Sequence, residues 1–112
     1  MGKRTLVKIR INRDRLEVLY SMCTDMLEEF KPGNEHQQLL REYLEELHQK
    51  LHKKMATSQW LYTLNMSNTE TIAFQQIWKL LDIKHDKYAT IIIDALIRQM
   101  KKYSEATGSM LA

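Results

Sequence analysis

Glu45, His48 and His52 are the residues whose types and spacing come nearest to metal chemistry, because Glu-x-x-His with a second His four positions on lines up three ligating groups along one helical face. A metal-binding bundle of the di-iron kind needs matching carboxylates and a second Glu-x-x-His on other helices, and the chain has no second copy of that motif. A solvated face beside Lys50 and Lys53 is therefore expected, with no metal. Cys23 falls within an apolar stripe with no base or cation next to it, the setting of an inert core thiol. His36 and His85 stand in or near turns without a hydroxyl spaced to serve as a nucleophile. Gly2, Gly33 and Gly108 are too scattered to cradle a phosphate. Trp60, Tyr62, Phe74 and Trp78 can stack nucleobases, but their strand and helix spacing places them in the core. The residues lead to the expectation of a non-enzymatic protein without a cofactor.

Charge is the stronger signal. The net charge is +3, yet residues 1–15 carry six Lys and Arg against Asp14 alone, giving +5 there and −2 over the remainder. Such asymmetry suits an anionic partner near the N-terminus. A solvated basic edge strand, protected from aggregation by its cations, is the plainer explanation. The six are Lys3, Arg4, Lys8, Arg10, Arg13 and Arg15.

The elements that must position these groups follow from periodicity. Within Thr5 to Asn12, Val7, Ile9 and Ile11 alternate with Lys8, Arg10 and Asn12, the pattern of a half-buried strand. From Arg13 to about Lys31, Leu16, Leu19, Tyr20, Cys23, Met26, Leu27 and Phe30 recur at helical spacing, with Asn12 as N-cap. Pro32-Gly33-Asn34 ends that helix, and Asn34 with Gln37 opens a second, faced by Leu40, Tyr43, Leu44, Leu47, Leu51 and Met55. Gln59 to Met66 alternates again, predicting a second strand with Trp60, Tyr62, Leu64 and Met66 on one side and Leu61, Thr63 and Asn65 on the other. Ser67-Asn-Thr-Glu70 is a capping-box signature for a third helix carrying Ile72, Phe74, Ile77, Trp78 and Leu81. After Asp82-Ile-Lys-His-Asp86, a fourth helix is predicted from Lys87 to about Tyr103, apolar around most of its circumference and therefore the most buried. Its Ile92 and Leu96 should lie in the deepest core or in a subunit interface. Residues 104–112 read as a frayed tail.

With 112 residues, 44% hydrophobic and 28% charged, three Gly and one Pro, one globular domain is expected over residues 1–112. The fold class is mostly α with a small two-stranded β ribbon, ordered β-α-α-β-α-α. Shifting the chain by 55 positions superimposes Val7, Ile9, Ile11 and Asn12 on Tyr62, Leu64, Met66 and Ser67, so the halves 5–55 and 59–103 read as a degenerate duplication. A lone cysteine and the absence of an apolar run near the roughly 20 residues that cross a bilayer lead to the expectation of a cytoplasmic protein without a membrane anchor. An apolar stretch broken by Lys8 and Arg10 argues against a signal peptide, and Leu6 stands where myristoylation wants Ser or Thr.

Strand, helix, short turn and helix, repeated so that two strands form one ribbon, resembles the ribbon-helix-helix DNA-binding fold with both copies in a single chain. The second half is the nearer match in element lengths, and Asp82-Ile-Lys-His-Asp-Lys-Tyr-Ala-Thr-Ile-Ile-Ile-Asp-Ala-Leu is similar to that family's inter-helix turn and second helix. The first helix is several residues longer than in the family, and Glu35 and Asp86 stand at helix starts where the family holds phosphates. The resemblance implies DNA as partner, with Lys8, Arg10, Thr63 and Asn65, on the faces opposite the apolar sets, presented to the major groove. Leu6 and Leu61 share those faces. The alternative expectation is a protein-interaction module or homodimer that uses the apolar surface of the fourth helix or second strand, with no nucleic-acid role.

Overall fold

A computed structural model describes the backbone of residues 6–81 and 87–111 and the side chains of 6–79 and 87–102. Lys3, Arg4, Thr5 and residues 82–86, His85 among them, lie outside the described residues, as do the side chains of Leu81 and Tyr103.

Strands β1 (Val7–Asn12) and β2 (Leu61–Met66) pair antiparallel in a two-stranded ribbon. Alternation decides which side of each strand meets the core: Val7, Ile9 and Ile11 of β1 and Tyr62, Leu64 and Met66 of β2 are all buried. Removing such side chains from water contributes about 1.5–3 kcal/mol each, while a slip of one position would turn all of them outward. Register is thereby fixed by burial. Helices α1 (Arg13–Glu29), α2 (Glu35–Met55), α3 (Asn68–Leu81) and α4 (Lys87–Leu111) complete the order β-α-α-β-α-α.

The chain divides into two compact units, one made of residues 11–62 and the other of residues 1–10 with 63–112. In the first unit, Asn12 caps α1 by accepting from the Arg15 N–H at 2.9 Å. Leu16, Leu19, Cys23 and Met26 form its buried stripe. Phe30 leaves the helix with φ −78° and ψ 117°, an extended conformation that the following Pro32 also favours for Lys31. No basic residue occupies the last turn of α1; instead Arg41 of α2 donates to the carbonyls of Leu27 and Phe30 at 3.0 and 2.7 Å. This supplies the cation that a helix C-terminus favours. Asn34 caps α2 by accepting from the Gln37 N–H at 2.8 Å, and the Gln37 side chain reaches back to the Gly33 N–H at 2.7 Å. Leu40, Tyr43, Leu44, Leu47 and Leu51 are the buried face of α2.

In the second unit the capping box closes as its residues predict. Ser67 Oγ accepts from the Glu70 N–H at 3.1 Å, and Glu70 Oε1 accepts from the Ser67 N–H at 3.0 Å. Phe74 and Trp78 of α3 pack edge to face with centroids 5.4 Å apart. Ala89, Ile92, Ile93, Leu96 and Met100 are the buried face of α4.

Four expectations are corrected. Trp60 is not on the inner side of β2; it is 93% exposed, because the strand begins only at Leu61. The buried Tyr62 hydroxyl accepts from the Gln59 N–H and donates to the Thr57 carbonyl, so the chain curls around that side chain and bends at Trp60 instead of extending. Helix α4 is not apolar all round in its environment: Tyr88 is 46% and Ile91 55% exposed, on the side that also carries Lys87, Asp94 and Arg98. Ile72 of α3, placed with the apolar face by its type, is likewise half exposed. Finally, the backbone of α4 continues to Leu111 instead of fraying after Tyr103. Extending a formed helix gains one hydrogen bond per residue, which offsets the roughly 1 kcal/mol disadvantage of Gly108 inside it.

Candidate nucleic-acid interface

Lys8 and Arg10 stand on β1 between buried Val7, Ile9 and Ile11, so the strand that buries its odd-numbered residues must project these two outward. Both are exposed, and neither forms an ion pair with another described residue. On β2 the same alternation leaves Asn65 exposed and Thr63 half-buried. All four belong to one unit, as does Leu6, which is 42% exposed.

A strand at the edge of a ribbon shows unpaired backbone groups. At Arg10 these are satisfied from α4: the Arg10 N–H donates to Gln99 Oε1 at 2.9 Å, and Gln99 Nε2 donates to the Arg10 carbonyl at 3.0 Å. The carboxamide thus acts as a further strand at that position. It fixes the backbone of Arg10 without touching the guanidinium.

Charge separates between the units. The unit holding Lys8 and Arg10 carries ten Lys and Arg against five Asp and Glu, a net +5, whereas residues 11–62 carry seven against nine, a net −2. The basic excess therefore accompanies the ribbon residues and also includes exposed Arg98, Lys101 and Lys102 of α4. Arg13, one of the six cations near the N-terminus, serves a different purpose. It pairs with Glu17 at 2.8 Å and donates through Nη1 to the carbonyls of Met55 and Thr57 and to the Tyr62 hydroxyl at 2.9, 3.1 and 2.8 Å. The hydrogen bonds to Glu17 and then Tyr62 hold its guanidinium still further toward the charged form. Arg13 ties the start of α1 to the end of α2.

The three residues that could have bound a metal are drawn to separate partners. Glu45 pairs with Arg41 at 3.4 Å. His48 stacks on Tyr20 with centroids 4.4 Å apart, and its Nε2 lies 2.8 Å from Thr24 Oγ1. Since Thr24 donates its one hydroxyl proton to the Tyr20 carbonyl at 3.0 Å, the hydrogen-bond network assigns the Nε2 proton to His48. His52 faces the Tyr20 hydroxyl at 3.5 Å, too long for a strong bond. Among the described residues no cluster of three His, Cys, Asp or Glu has the arrangement of a metal site. Cys23 is buried and free, and burial pushes its thiol up to about 12, leaving no thiolate for chemistry.

Gln99, Arg41 and the role of Arg13 escape sequence reasoning, since each depends on a partner far away in the chain. Arg98, Lys101 and Lys102 are likewise not singled out by the sequence, since nothing local places that stretch of α4 near β1. Among the described residues no helix is long and apolar enough to cross a membrane. A scan of protein-family models, a search of curated proteins and a search of solved structures found no match to this chain.

Proposed function

We propose that this chain is a non-enzymatic DNA-binding protein whose ribbon enters the major groove and presents Lys8, Arg10, Thr63 and Asn65. The observation that carries the reading is the concentration of the basic excess, +5, in the unit where Lys8 and Arg10 project away from the core. The major groove is about 12 Å wide and admits a two-stranded ribbon, in which Lys and Arg donate to guanine and Asn pairs with adenine. The ribbon-helix-helix reading, with both copies in one chain, belongs to the same proposal. It is supported by two strands that each bury three alternating residues and each lead into a capped helix, at Asn12 and at Ser67. Changing Lys8 and Arg10 together to Ala should weaken binding to duplex DNA at least tenfold in fluorescence anisotropy. Thermal stability should hardly move, since exposed substitutions alter it by less than about 0.5 kcal/mol. Unchanged affinity would remove both residues from the interface.

A second reading, a homodimer or a protein-docking module, is favoured by a separate observation. Trp60 is 93% exposed beside Leu61 at 50%, and large solvated aromatics are the usual anchors of protein interfaces. Tyr88 and Ile91 add exposed apolar surface on α4. Concentration-dependent mass in sedimentation, abolished by Trp60→Ala, is the outcome this reading requires.

A further inference from the structure

Gln99 determines which part of α4 lies beside the free edge of β1. Its carboxamide holds the Arg10 backbone through two hydrogen bonds, at 2.9 and 3.0 Å, so the helix surface next to Gln99 borders the edge of β1 at Arg10. Around a helix each residue advances by about 100°, which places Lys102 about 60° and Arg98 about 100° from Gln99 in one direction. Leu96 and Met100 lie at similar angles in the other direction, and both are buried. Among the described residues within one turn of Gln99, the first exposed side chains met on leaving the core are therefore Lys102 and Arg98. They are four residues apart, hence neighbours on the helix surface, and both are exposed. Neither forms an ion pair with another described residue. Lys101, also exposed, is about 160° from Gln99 and points away.

We infer that Arg98 and Lys102 contact the phosphate backbone flanking the groove that the ribbon occupies, so that α4 supplies affinity while β1 and β2 supply the groups that reach base edges. The inference rests on the DNA-binding reading above and adds a location for its backbone contacts. Those contacts lie in the second half of α4, beside Gln99, and not at a helix N-terminus. Phosphate contacts of this kind carry no sequence information, and each released counterion makes binding steeper in salt.

The test is a salt titration of binding to a labelled random-sequence duplex, for the wild-type chain and for Arg98→Gln, Lys102→Gln and Lys101→Gln. Each of the first two should flatten the slope of log affinity against log salt by about 1, and Lys101→Gln should leave it unchanged. Helical circular dichroism confirms that the variants remain folded. Equal flattening by all three would reduce the effect to net charge and overturn the assignment. Wild-type binding with slopes unaffected by Arg98→Gln and Lys102→Gln would overturn this inference alone and leave the ribbon reading standing. Absence of wild-type binding at low salt would overturn both.

Discussion

Tyr62 shows how much one side chain can organise. It is fully buried, accepts from Arg13 Nη1 at 2.8 Å and the Gln59 N–H at 3.1 Å, and donates to the Thr57 carbonyl. Tyr62→Phe keeps the ring and removes every one of these bonds. Stranding buried or half-buried partners costs about 1–3 kcal/mol, so urea denaturation should show a loss in that range. A loss below about 0.5 kcal/mol would mean that water replaces the hydroxyl without penalty. Cys23 gives a prediction in pH. Burial raises its thiol from 9.0 to about 12 in the folded chain, so the unfolded chain ionises first as pH climbs. Its contribution to stability is complete below 9.0 and is lost progressively toward about 12. At pH 8 the folded protein should resist a thiol reagent that reacts promptly in urea; rapid reaction without denaturant would show the thiol to be accessible. That Cys23 belongs to the core was legible from its place in the α1 stripe. The Tyr62 network was not, because its donors are separated from it by as many as 49 positions.

Individual elements were read well wherever their signal is local. Period-two alternation located both strands, and Asn12, Asn34 and Ser67 were recognisable as caps from the residues around them. Ser67→Ala removes one half of the capping box and should lower stability by about 1 kcal/mol. Sequence did less well with α4, since hydrophobic type says that a residue can be buried and not that a neighbour exists to bury it. Ile91 and Ile92 make the distinction measurable: one is 55% exposed and the other is not exposed at all. Truncating Ile92 to Ala should cost about 2–5 kcal/mol, whereas Ile91→Ala should stay within about 0.5 kcal/mol. Equal losses in thermal denaturation would contradict the one-sided helix described here. Trp60 failed as a core residue for a related reason, because alternation cannot tell where a strand stops and the turn before it begins.

On the scale of the whole molecule, the distribution of charge is more informative than its net value of +3. The sequence already placed a basic excess at residues 1–15, but Arg13 is consumed by Glu17, Tyr62 and two carbonyls, and the excess belongs instead to the unit containing residues 1–10 and 63–112. Binding a polyanion through that unit would draw on long-range attraction as well as on contacts, and both weaken in salt. If Arg98 and Lys102 neutralise about two phosphates, affinity should fall about tenfold between roughly 50 and 200 mM salt. The most direct measurement is fluorescence anisotropy of a labelled random-sequence duplex titrated with the intact chain at those two salt concentrations. Saturable binding at the lower concentration with a loss of that order at the higher is the predicted result; no binding at the lower concentration, or binding indifferent to salt, would contradict the account.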